Sequence, residues 1–417
     1  MSNPSRSHTS SARVSGIEQL AHRLRQSRES LSSAHRRIRE RWLASTSLAT
    51  ALLIILLTVA WPFTKAHLQA IAVLQLVSGK PVPRIVAALV AEPITVEDLN
   101  FTIDSGPVRA RIYRPQHKPN APALIVFHGV HHLGIDEPRL ESFASAMASC
   151  GLTVLTPELP DIKDYHIGQA SIRTIDESAQ WFARRTGAPV GVMGLSFSGG
   201  LALIAAADPL YGPDFKFVFA VGAQDSMNRV EQYYRTDRDL RPDGSTEILP
   251  AHEYGPLVLE YEYVEDFVPA PDVPVIRAVL RAHLYEDKDA ETLAESKLDA
   301  PQKAEALDLM DATSPTTRAR IAQVTTKHTT EAESLSPARS LKKLRTPVYL
   351  LHGEADNIIP SAETLWMASQ LPSVTLKAML VSPVISHIDI EGTNPTLVDQ
   401  WRLIHFFALV MHASEHK

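Results

Sequence analysis

From residue 95 onward, short apolar runs alternate with helical patterns: ALIVF then PRLESFASAMASC, LTVLTPE then SIRTIDESAQWFARR, PVGVM then GGLALIAAA, FKFVFAVGA after that. A run such as ALIVF, apolar without a polar face, fits a strand buried on both sides. Strands of that kind separated by helices predict an α/β fold with a mainly parallel sheet, helices covering both faces. Ahead of it, FTID and VRARIYRP read as paired strands around Ser105-Gly106. The alternation stops near residue 223 and resumes at 345 with PVYLLHGEAD, ETLWMASQL, VTLKAMLV and LVDQWRLIHFFALVMH. An interruption of that length needs structure of its own, so 223–344 is expected to be a mostly helical insertion, and 95–222 with 345–417 the core it interrupts.

Ligands of parallel α/β sheets bind beyond the carboxyl ends of the strands, so the residues that follow each apolar run are the ones to inspect. Four of these ends bear chemistry. His128-Gly129-Val130 follows ALIVF, Ser196 follows PVGVM in GLSFSGG, Asp356 follows PVYLL in HGEADNIIP, and His387 follows the last run in ISHIDI. A serine hydroxyl attacks poorly unless a base takes its proton, and histidine does this near neutral pH. A carboxylate holds the histidine in one tautomer, and two backbone N–H groups serve the oxyanion.

The order serine, acid, histidine at strand ends resembles the α/β-hydrolase superfamily over roughly residues 95–415. GLSFSGG is similar to its nucleophile elbow, HGEADNIIP to its acid loop and ISHIDI to its histidine loop. The resemblance implies Ser196 as nucleophile, His387 as general base and acid, and Asp356 as orienting carboxylate. It implies the N–H groups of Phe197 and Val130 as oxyanion donors, and no metal or cofactor. The family pattern Gly-x-Ser-x-Gly is broken at its last position by Ser198, with glycines at 199 and 200. Serine is small enough for a turn that brings strand and helix close together.

Other residues compete for these roles. Asp225, in GAQDS, is the alternative acid, because the carboxylate can follow either of two late strands. Ser198 is a second hydroxyl in the same turn, and Asp389 a carboxylate only two residues from His387. His128, His131 and His132 form HGVHH without the Cys, Asp or Glu partners of a metal site. They read as a loop lining the pocket, with His128 a structural partner, and His352 reads as a structural histidine at a strand end. The single cysteine, Cys150, leaves no intrachain disulfide to form and reads as a small buried core residue.

The net charge of −6 argues against a nucleic-acid partner and hides an asymmetry: residues 1–41 hold nine Arg, no Lys and three Glu. An uncharged stretch, 42–64, follows, long enough to cross a bilayer, with Trp42 and Trp61 near its ends. The expectation is a single-pass membrane anchor preceded by a basic cytoplasmic tail, with the body on the outer or periplasmic side; a cleaved signal is its rival. Residues 65–94 should form two short amphipathic helices broken near Ser78-Gly79. The insertion is acidic and contains Tyr233, Tyr234, Tyr254, Tyr261, Tyr263 and Tyr285, candidate pocket walls. The chemistry implied is hydrolysis of a small-molecule carboxylic ester, with an aminopeptidase, a thioesterase or a non-catalytic binding protein of the same fold as alternatives.

Overall fold

The computed structural model describes residues 58–385 and 395–416, together with 54–56 and positions 22, 28, 42 and 50. The expected tail, part of the 42–64 stretch, and Ser386, His387 and Asp389 lie outside the described residues. Two compact units are distinguished, Met1–Thr64 and Lys65–Lys417.

In the first unit the side chains of Ile54, Ile55, Leu56, Val59, Trp61 and Phe63 are exposed. They belong to a 24-residue helix, Ile54–Val77, long and apolar enough by length and composition to cross a membrane. The helix does not stop at Thr64. With no glycine between Ile54 and Ser78, it runs on to the Ser78-Gly79 break, where Gly79 takes φ +65° and the Lys80 N–H returns to Gln75 O at 2.8 Å. Residues 66–92 contain the end of that helix and, past the Ser78-Gly79 break, a separate short one, Arg84–Val90.

The second unit is built on an eight-stranded sheet. Its strands are β1 (Ile94–Ile103), β2 (Gly106–Pro115), β3 (Ala123–Phe127), β4 (Thr153–Pro157), β5 (Val190–Leu195) and β6 (Phe215–Val221). After a small hairpin, β7 (Arg238–Leu240) and β8 (Thr246–Ile248), come β9 (Val348–Gly353) and β10 (Leu376–Ser382). The order across the sheet is β1-β2-β4-β3-β5-β6-β9-β10. β1 and β2 pair antiparallel, as do β2 and β4, and every later pairing is parallel. The parallel strands β3, β5 and β9 are buried almost end to end, which is what their unbroken apolar runs require.

Successive side chains point to opposite faces, and each face has its own core. Leu124, Val126, Met193 and Phe219 pack with Ala70, Val73, Met147, Phe406 and Phe407 from Ile54–Val77, Pro138–Ser149 and Leu397–Glu415. Ile125, Phe127, Val192 and Val218 pack with Ile175, Phe182, Leu201 and Ala205 from Gln169–Thr186 and Phe197–Ala206. Cys150 lies in the first core, where burial pushes its thiol up to about 11, so it is inert at ordinary pH. A mainly parallel sheet, covered on both faces, with a strand-to-helix elbow at the end of central β5, is the α/β-hydrolase fold.

Between β6 and β9 the chain forms helices Met227–Thr236, Tyr254–Glu262, Val273–Leu284, Lys288–Glu295, Ala300–Leu309 and Pro315–Lys327, with the β7–β8 hairpin the main departure from helix. Aspartate and serine caps start several of them: Ser226, Asp287, Asp299 and Ser314 each accept a first-turn N–H.

Candidate active site

Ser196 sits between β5 and helix Phe197–Ala206 with φ 55° and ψ −135°. This is backbone that L residues other than glycine rarely adopt, so the surrounding structure must impose it. Its N–H is tied to Val221 O at 2.8 Å, and three close approaches fix the rest. A Cβ on Gly194 would stand 2.5 Å from Ser198 O, and one on Gly199 2.8 Å from the Ala223 Cβ. One on Gly200 would strike the Gln224 side chain. The glycines that let helix and strand meet are thus 194, 199 and 200, and none is needed at 198. Ser198 is fully buried there, and its hydroxyl donates to His128 O at 2.6 Å. That bond answers why serine stands where the resemblance calls for glycine, and Ser198 is a structural hydroxyl rather than a rival nucleophile.

The loop after β3 lies against the elbow. A Cβ on Gly129 would be 3.3 Å from Ser196 Cβ, so Gly129 gives the loop its close approach. His128 is buried, and Nε2 accepts the Leu159 N–H at 2.9 Å. Its proton is therefore on Nδ1, which donates to Gly129 O at 2.8 Å. Burial lowers its pKa to about 4, so the ring is neutral at ordinary pH. Its role is structural, and the next two histidines form a wall: His131 stacks on His132, and His132 on Tyr285 of the insertion, with ring centroids 4.6 and 4.9 Å apart. Phe197 opens its helix, where N–H groups have no carbonyl of the same helix to bond.

Asp356 is three residues past β9 and buried. Its Oδ1 accepts the N–H groups of Ile358 and Ile359, both at 3.0 Å, and Oδ2 lies 3.3 Å from His352 Nε2. His352 is itself buried, engaging Thr364 Oγ1 at 2.7 Å and Ile359 O at 2.8 Å, so it braces the acid loop. The Glu354 N–H bonds Ser382 O at 3.0 Å, joining this loop to the end of β10. β9 and β10 are parallel with Gly353 opposite Ser382, so the chain leading to His387 leaves the sheet at the edge where Asp356 stands.

Asp225, after β6, is also buried, but its partners differ. Arg229 Nη2 donates to its Oδ2 at 2.8 Å and Gln370 Nε2 at 2.9 Å, while Arg229 Nε donates to Glu363 at 2.5 Å. Glu363 also receives the N–H groups of Asp225 and Ser226 at 2.8 Å. Burial raises both carboxyls despite the guanidinium between them. This closed cluster fastens the start of the insertion to helix Ala362–Gln370.

Besides Tyr285, which stacks on His132, two of the insertion's tyrosines hydrogen-bond carbonyls of the strand-end loops. The Tyr233 hydroxyl donates to Asn357 O at 3.2 Å and the Tyr254 hydroxyl to Val130 O at 2.7 Å. Tyr234 is buried beside Gly255, Tyr261 meets His166, and Tyr263 stacks on His328 within the insertion at 4.0 Å. The contacts of Ser198 and Tyr254 have no sequence signal, since they join residues 70 and 124 positions apart. Among the described residues no group of three His, Cys, Asp or Glu could hold a metal ion.

No protein-family model and no curated protein sequence matches the chain. Similar solved structures include an esterase of Pyrobaculum calidifontis, at 15% identity and TM-score 0.43, covering 84% of this chain and 91% of that one. An α/β hydrolase from a Medee basin deep-sea metagenome has 13% identity and TM-score 0.41, covering 76% and 98%. The acylaminoacyl peptidase of Pyrococcus horikoshii has 13% identity and TM-score 0.39, covering 70% of this chain and 37% of its own, so the present chain spans well under half of it.

Proposed function

We propose that the chain is a membrane-anchored serine hydrolase that cleaves a carboxylic ester through an acyl intermediate on Ser196. The observation that carries the proposal is the backbone of Ser196: a non-glycine residue held at φ 55° between a buried strand and a helix amino terminus. Backbone strain of that kind persists where a side chain must be presented, and here it presents a hydroxyl.

In the proposed reaction His387 takes the Ser196 proton as Oγ attacks the ester carbonyl. Asp356, whose Oδ1 is fixed by two backbone N–H groups, orients the histidine. The N–H groups of Phe197 and Val130 receive the oxyanion. His387 then protonates the departing alkoxide, and water repeats the sequence to release the acid and restore Ser196. Esters are favoured over amides because the alkoxide is the better leaving group. The apolar helix is read as the anchor, with the Arg-rich segment before it on the cytoplasmic side and the body across the membrane.

Purified full-length chain in detergent should hydrolyse p-nitrophenyl esters, and the rate should fall to background in Ser196→Ala. Undiminished hydrolysis in that variant would remove Ser196 from the mechanism. Alkaline carbonate washing of membranes tests the anchor separately: the chain should stay with the lipid, and release into the supernatant would contradict it.

A further inference from the structure

The loop after β3 has three consecutive carbonyls, and each is held by a donor from a different place. Ser198 Oγ donates to His128 O, the His128 ring to Gly129 O, and Tyr254 Oη to Val130 O, at 2.6, 2.8 and 2.7 Å. A trans peptide is planar, with its C=O and its N–H on opposite sides. Fixing Gly129 O therefore fixes the direction of the Val130 N–H, which belongs to the same plane. Fixing Val130 O as well holds the plane on the other side of that residue, so the Val130 N–H cannot swing without breaking one of the two bonds.

The donors differ in origin. Ser198 belongs to the elbow and His128 to the end of β3, but Tyr254 opens helix Tyr254–Glu262 of the insertion. We infer that Tyr254 is a positioning residue for the oxyanion site: the insertion, through this hydroxyl, completes a clamp begun by Ser198 and His128 that holds the Val130 N–H in its catalytic direction. The inference rests on the proposed role of Ser196 and Val130. It gives the insertion a part in the chemical step in addition to any part in roofing a pocket, because an N–H aimed at developing charge acts in the transition state and not in ground-state binding.

Tyr254→Phe keeps the ring and removes only the hydroxyl. With p-nitrophenyl butyrate as probe, kcat should fall about tenfold while KM stays within about twofold, and affinity for butylboronic acid, a tetrahedral mimic, should fall in proportion. Ser198→Gly should lower kcat in the same way, although it restores the family's glycine. Ser198 is buried, so its melting temperature must be read alongside; Tyr254→Phe, at a half-buried site, supplies the cleaner variant. A raised KM with unchanged kcat, or a lowered melting temperature with both unchanged, would overturn the clamp. Ser196→Ala belongs in the same series: activity lost there but kept in Tyr254→Phe defeats only this inference, whereas activity that survives Ser196→Ala defeats the serine mechanism and this inference with it.

Discussion

Asp225 and Asp356 stand just past the carboxyl ends of adjacent parallel strands, β6 and β9, and both are buried. One is held by side chains, with Arg229 and Gln370 on its carboxylate and Glu363 across the guanidinium. The other is seated by backbone N–H groups of its own loop, next to the strand whose continuation leads to His387. A carboxylate neutralised by an arginine has little left to offer an imidazolium. Asp356 has two neutral N–H groups on Oδ1 and the His352 ring 3.3 Å from Oδ2, with no guanidinium among these contacts. The two acids share a strand-end position and differ in their partners.

Neutralising each acid in turn should separate the two. Asp356→Asn should lower kcat by roughly a thousand- to ten-thousand-fold with the fold intact, while Asp225→Asn should leave kcat within a few-fold and lower the melting temperature instead. Steady-state kinetics beside thermal melts would show it, and a reversed pattern would hand the role to Asp225. Next in size is Arg229→Ala, which strands two buried carboxylates and should cost about 3–5 kcal/mol in denaturant unfolding. A loss below about 1 kcal/mol would mean the cluster is not the closed ionic unit described.

A further effect concerns another buried acid, Glu231, on helix Met227–Thr236, whose pKa burial raises to about 8. A carboxyl raised on folding binds its proton more tightly in the native state than in the unfolded chain. Its contribution to stability is present below about pH 4.5 and is lost as pH rises through about 8. Glu231→Gln, which cannot ionise, should match the parent near pH 4 and be the more stable of the two at pH 9. Urea unfolding at the two pH values checks this, and an equal difference at both would show that ionisation is not the cause.

Much of the sheet was legible because a strand buried on both faces has only apolar residues to offer, as ALIVF and PVYLL do. The elbow was legible in outline, since Gly194, Gly199 and Gly200 mark a tight strand-to-helix approach. What Ser198 does there was not, because its partner, His128 O, is a backbone atom 70 residues away that no side-chain pattern records. Tyr254 was visible only as one tyrosine among six in the insertion. Contact with Val130 O sets it apart, and that contact depends on how the insertion returns over the strand ends. Lys65 is charged but does not break a helix, and the apolar amino-terminal helix runs past it to the Gly79 turn. His387 was reached from the strand-end pattern alone and lies outside the described residues.

The central claim is that Ser196, held in its strained turn, is the nucleophile. Incubating the full-length chain with a fluorophosphonate and mapping the adduct by peptide mass spectrometry tests it most directly. A single modified residue, Ser196, is expected, with no adduct in Ser196→Ala. Modification at Ser198 or elsewhere, or an adduct that persists in the variant, would contradict it.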